Sequence, residues 1–188
     1  MFIQVALTPN PLTLKFLPGR LVIKEGTAFY KNESEALNSP LAKELFSVDG
    51  VNGVFFGSDF ITVTKVEDLD WQTLKPEILG VITDYYNSVD NTTLETSKET
   101  QLDSDNENIN DSDIVKQIKE LLDTRVRPAV AMDGGDIVYK KFEKGIVYLH
   151  MQGACSGCPS STATLKMGIE NMLKHYVPEV KEVRPVDV

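Results

Sequence analysis

One acidic stretch near the middle of the chain limits what the rest can fold into. From Ser88 to Ser112 there are seven carboxylates, Asp90, Glu95, Glu99, Asp103, Asp105, Glu107 and Asp111, against a single base, Lys98. The apolar residues in it (Val89, Leu94, Leu102, Ile109) follow neither a helical nor a strand period. Such a segment cannot bury enough apolar surface to offset the entropy of ordering it. No single core can run across it, so the chain divides into residues 1–87, an acidic disordered linker at 88–112, and residues 113–188. About 25 residues of flexible chain reach on the order of 25–30 Å. The linker reads first as a solvated spacer and second as an acidic interaction arm.

The front part alternates strand and helix signals. Phe2–Leu7 and Leu12–Leu17 read as strands separated by Thr8-Pro9-Asn10-Pro11, and Leu21–Ile23 as a third after the Pro18-Gly19 turn. Ser39-Pro40 is a helix start, with Ser as N-cap and Pro at the first helical position, followed by Leu41, Leu45 and Phe46 on one face. Gly53–Phe56 and Phe60–Lys65 read as a hairpin turning at Gly57-Ser58 with one buried and one wet face, and Pro76 as the opening of a second helix.

In the back part, Ile114, Ile118, Leu121 and Leu122 mark a helix running to about Arg127, interrupted by Pro128. Asp133-Gly134-Gly135-Asp136 reads as a tight turn. Ile137–Phe142 and Ile146–Met151 form a hairpin about Glu143-Lys144-Gly145. A helix follows, with Leu165, Ile169, Met172, Leu173 and Tyr176 on one face, ended by Pro178, and Val180–Val186 supplies a last short strand. The order is α-β-β-α-β. The expected fold class is α+β, as two small α+β domains joined by the linker.

Between the hairpin and the last helix stands Gly153-Ala154-Cys155-Ser156-Gly157-Cys158-Pro159, which holds both cysteines of the 188-residue chain. Pro159 suits the first helical position and makes Cys158 the N-cap, which places both sulfurs at the positive end of a helix dipole, where a thiolate is favoured. A CxxC pair has three readings: a redox couple, half of a four-thiolate metal site, or two idle cysteines.

The rest of the composition narrows the field. The net charge is −9 and the pI near 4.7, with no basic patch, so nucleic acid is not an expected partner. Two cysteines make no disulfide framework and fit a reducing compartment. No apolar run approaches the ~18 residues a membrane span needs, so no membrane partner is expected. Met1-Phe2-Ile3-Gln4 passes directly into strand-like sequence with no charged leader. The expected location is therefore the cytoplasm, as in a bacterial-type protein, a processed organellar form being the other possibility.

The metal reading must find four ligands. His175, seventeen residues after Cys158 on the same helix, lies about 25 Å away at 1.5 Å per residue. His150 shares a strand face with Tyr148 and reads as a solvated strand histidine, while Asp133 and Asp136 read as turn residues. Two copies about a two-fold axis would supply Cys155 and Cys158 twice. Spacing does not choose between zinc and iron–sulfur. The redox reading is opposed by the short unit and its helix–hairpin order.

Several separated blocks carry a resemblance. Glu120–Ile137, Gly153–Ser161, Thr164–Glu170 and Tyr176–Val180 closely resemble the C-terminal domain of NifU-like proteins. Thr8–Pro11, Lys15–Gly19, Ser39–Ala42, Phe55–Gly57 and Asp59–Lys65 resemble the N-terminal domain of the Nfu type. The resemblance implies an iron–sulfur cluster assembly scaffold or carrier, not an enzyme. It would bind a cluster, 4Fe–4S in most such proteins, between the CxxC motifs of two subunits, receive it from a donor scaffold and pass it to apo-proteins. The ligands carried over are Cys155 and Cys158, with the chain a homodimer through the cluster. Gly153 and Gly157 would let backbone approach sulfide, and Met132 stands where many relatives have a polar residue. The alternatives are a thiol–disulfide oxidoreductase and a structural zinc-binding dimer.

Overall fold

In the computed structural model, which describes residues 2–88, 113–157 and 159–186, apolar alternation builds two compact units, each with its own sheet and core. Both are α+β. The acidic stretch assigned to a linker lies, apart from Ser88, outside the described residues.

The first unit contains β1 (Gln4–Leu7), β2 (Thr13–Leu17), β3 (Ala28–Tyr30), a short 3₁₀ turn (Glu33–Ala36), α1 (Pro40–Phe46), β4 (Val51–Phe56), β5 (Ile61–Lys65) and α2 (Trp71–Ser88). The strands form one antiparallel sheet in the order β1-β2-β5-β4-β3. Register puts Leu14 beside Val63 and Val63 beside Val54, and Phe16 beside Ile61 and Ile61 beside Phe56. These rows join Leu41 and Leu45 of α1 and Leu74, Ile78 and Ile82 of α2 in a single core. The expected wet face is not wet: Thr62 is buried, and its cross-strand neighbours are the long side chains of Lys15 and Phe55.

The first helix begins where expected. Ser39 Oγ accepts the Ala42 N–H at 3.2 Å, with Pro40 in the first turn. Ser39 is buried, so Ser39→Ala should destabilise this unit by about 1–2 kcal/mol, by loss of the cap. Urea denaturation of the full chain, following the transition of the Trp71-containing unit, measures it.

The second helix begins five residues before Pro76, because Asp70 caps it: its Oδ1 accepts the Gln72 N–H at 3.1 Å. Trp71 Nε1–H then donates to Pro11 O at 3.0 Å and ties the helix start to the loop after β1. Leu21–Ile23 is not a strand. One edge of the sheet is the three-residue β3, too short to leave a pattern; the other is β1.

The second unit contains α3 (Asp113–Leu121), a π turn (Leu122–Val126), α4 (Arg127–Met132), β6 (Gly135–Glu143), β7 (Ile146–Gly153), α5 (Pro159–Tyr176) and β8 (Glu182–Pro185). Pro128 does not break the helical run. The Arg127 N–H bonds to Leu122 O, a five-residue step, and the wider turn lets the chain continue into α4 with Pro128 in its first turn. β6 and β7 form an antiparallel hairpin closed by Lys144 and Gly145 at φ 53° and 84°, the two-residue turn whose twist matches the strands. β8 lies parallel to β7 after the α5 crossover. Gly145 O accepts the Lys181 N–H at 2.7 Å, and Glu170 Oε2 accepts the Val183 N–H at 3.0 Å, so hairpin and helix both hold β8.

Val126, Val130, Ile137, Leu149, Met151, Ile169, Leu173 and Val183 form the core of this unit, and Cys155 belongs to it. Tyr176, expected on the apolar face of α5, is 39% exposed. Its ring stacks with the Arg125 guanidinium at 4.8 Å instead.

Candidate metal centre

The cysteine loop is built on the first residues of β6. Gly135 pairs with Gly153 at the open end of the hairpin. Gly153, at φ 62°, takes the left-handed conformation that turns the chain out of β7. The Ala154 N–H donates to Gly134 O at 3.1 Å, the Cys155 N–H to Gln152 O at 3.3 Å and the Ser156 N–H to Gly153 O at 3.1 Å. Thr162 Oγ1–H, in the first turns of α5, donates to Cys155 O at 3.2 Å. The Cys155 backbone is therefore held from β7 and α5, and its neighbour Ala154 from Gly134 just before β6.

The sulfur lies in a seat that Gly135 makes possible. A Cβ at Gly135 would come within 2.5 Å of Cys155 Sγ, 2.7 Å of Gln152 O and 3.0 Å of Cys155 N. Sequence reasoning assigned Gly135 to a tight turn. Its own role is the absence of a side chain beneath the thiol, and no local pattern could have signalled that.

Cys155 is a free thiol, 5% exposed. Burial, followed by the charges of Asp133 and Asp136, pushes its pKa up to about 12. Burial and the two aspartates thus oppose, at Cys155, the thiolate that the helix dipole was expected to favour. Cys158 and its assignment as N-cap lie outside the described residues.

Two further readings change. Asp136 is not a turn residue: it is buried on β6 and receives Arg127 Nε–H and Nη2–H at 3.0 Å each, a two-pronged ion pair, while its Oδ1 also accepts the Ile137 N–H at 2.8 Å. The two residues are nine apart on different elements, so sequence spacing could not join them. Asp133 is exposed. His150 is buried rather than solvated, with Nδ1 at 3.0 Å from Val186 O. Among the described residues no three His, Cys, Asp or Glu side chains come together as a metal-binding group, and no helix is long and apolar enough to cross a membrane.

The sheet-and-helix units and the cysteine loop define a two-domain protein with an Nfu-type front and a NifU-like back. Residues 3–89 match the family described as scaffold protein Nfu/NifU N terminal, and residues 118–184 match the NifU-like domain. The chain belongs to the NifU-like family of Nfu type.

Among its relatives, "NifU-like protein 4, mitochondrial" of Arabidopsis thaliana is 56% identical over 189 residues, covering 97% of this chain and 65% of that protein. "NifU-like protein 5, mitochondrial" of the same plant is 54% identical, covering 97% and 67%. "NFU1 iron-sulfur cluster scaffold homolog, mitochondrial" of Homo sapiens is 51% identical over 187 residues, covering 99% and 72%. The chain thus spans about two thirds of the length of the first two. All three names carry the word mitochondrial, which overturns the expectation of a cytoplasmic, bacterial-type protein. That expectation rested on the residues after Met1, which carry no weight in a chain spanning 65% of such a relative.

Proposed function

We propose that this chain is a mitochondrial iron–sulfur cluster scaffold and carrier. Cys155 and Cys158 of two copies bind one 4Fe–4S cluster, and the chain receives it from a donor scaffold and hands it to apo-proteins. The observation that carries the reading is the restriction of cysteine to one CxxC loop, in a chain 51% identical to a protein named an iron–sulfur cluster scaffold. One chain offers two soft thiolates; a cubane takes four. Two copies complete the set, and the cluster is cargo rather than a resident cofactor. Residues 1–87 are the client- or donor-docking domain and 113–188 the cluster-bearing one. The protein carries out no catalysis of its own.

The test is anaerobic reconstitution with iron and sulfide, read by Mössbauer spectroscopy and by the mass of the loaded species. The expected product is one four-iron cluster per two chains. A cubane on a single chain, or tight zinc with no iron in protein isolated anaerobically, overturns the reading in favour of a different metal site. Vigorous reduction of insulin disulfides by the metal-free chain overturns it in favour of an oxidoreductase.

A further inference from the structure

Cys155 has to reach a cluster shared with another chain, yet the residue is 5% exposed and its sulfur lies against Gly135. Loading therefore requires the sulfur to leave its seat, and whatever fixes the seat controls access to the ligand. The wall of the seat is the strip Gly134–Asp136. Gly134 O receives the Ala154 N–H, Gly135 lies beneath the thiol, and Asp136 ends the strip. The strip is paired with β7 through Gly135 and Asp136, and it has a side-chain anchor in the Arg127–Asp136 ion pair, whose Asp136 side chain is 5% exposed and whose Arg127 side chain is 41% exposed. Arg127 is itself aimed. Asp123 Oδ1 accepts its Nη1–H at 3.1 Å, and the π turn just before it rotates all later positions relative to α3.

We propose that Arg127 is a positioning residue for the cluster ligand: through its fork on Asp136 it holds Gly134–Asp136 against Cys155 and keeps the sulfur covered in the metal-free chain. The functional meaning rests on the reading of Cys155 as a ligand. The geometry of the seat does not. Arg127 touches neither the sulfur nor the cargo in this account. It sets how often the seat opens, and so how readily Cys155 engages incoming iron and sulfide.

The experiment uses the full-length, metal-free chain carrying Cys158→Ser, so that Cys155 is the only thiol, and follows its alkylation by iodoacetamide at neutral pH. Arg127→Met is the decisive variant because two effects on the rate have opposite signs. Removing Arg127 takes the guanidinium away from the Asp136 charge, which disfavours thiolate at Cys155 and slows the reaction, whereas loosening the seat speeds it. The expected result is alkylation about tenfold faster, a modest effect beside that of breaking a buried ion pair. Arg127→Lys, which keeps the charge and loses the fork, should fall between. Amide exchange read by NMR separates positioning from general loosening. The Ala154 N–H, bonded to Gly134, should exchange faster to a similar degree, while the Leu149 N–H at the centre of the sheet keeps its rate. Alkylation that is unchanged or slower overturns the proposal, as does an equal rise in exchange at Leu149. Because the readout is a thiol in the metal-free chain, it stands or falls separately from whether the protein carries a cluster.

Discussion

Replacing Cys155 or Cys158 with serine is expected to reduce the iron held after anaerobic reconstitution from about two atoms per chain to less than about a tenth of that, since each substitution removes two of the four thiolates a shared cubane needs. The loss should be equal for the two positions, because the cluster cannot be held by one thiolate from each copy. The two variants should differ in the stability of the metal-free fold. Cys155 packs in the core of the second unit, so serine there buries a hydroxyl in an apolar place at about 1–3 kcal/mol. Iron content by colorimetric assay, visible absorption of the cluster and urea denaturation of the metal-free chain together distinguish ligand loss from unfolding. Either variant retaining a full complement of iron would remove that cysteine from the ligand set.

The second large effect lies one strand away. Gly135→Ala should destabilise the second unit by about 3 kcal/mol, the upper part of the range for overpacking a close-packed site. The added methyl would stand 2.5 Å from Cys155 Sγ, 2.7 Å from Gln152 O and 3.0 Å from Cys155 N. The sulfur can rotate away, but the carbonyl is backbone of β7 and the amide is backbone of the loop hydrogen-bonded to it, and neither can. Combining Gly135→Ala with Cys155→Ala should therefore recover only part of the loss. Gly157→Ala, on the other side of the same cysteine, makes the contrasting case. Gly157 has φ 81° with nothing within 4 Å of an added methyl, so the cost is only that of a left-handed residue, about 1–2 kcal/mol. Urea denaturation of the full chain, following the transition of the second unit, gives both numbers. Equal losses at the two glycines would mean that the seat beneath Cys155 is looser than described.

What the sequence disclosed follows from the range over which each feature is encoded. Ser39-Pro40 announced α1 because cap and first turn are adjacent residues. The β6–β7 hairpin was legible because alternation and a Lys-Gly turn lie within one short run. The family blocks, including both cysteines, were legible for the same reason. The misreadings involve partners distant in sequence or backbone forms without a signature. Pro76 looked like a helix start because proline favours that position, but Asp70 had already supplied a cap. Pro128 looked like an interruption because a π turn leaves no mark in the residue pattern. Asp136 looked like a turn residue and His150 solvated because Arg127 and Val186 are brought to them only by the fold. The seat of Cys155 was invisible on the same account: it is a distance between a glycine and a sulfur twenty residues apart.

The two-residue turn at Lys144 and Gly145 has a consequence in time. A tight hairpin closes in microseconds from residues adjacent in sequence, whereas a parallel strand waits for its crossover helix to be in place. Gly135, which lies against the sulfur, belongs to the hairpin β6–β7, as does Gln152, whose carbonyl takes the Cys155 N–H. As the chain leaves the ribosome, the hairpin that carries Gly135 can therefore form before β8 docks. The order of synthesis then sets Gly135 in place ahead of the cysteine loop, and the thiol is enclosed only when α5 brings Ile169 and Leu173 into the core it shares with them.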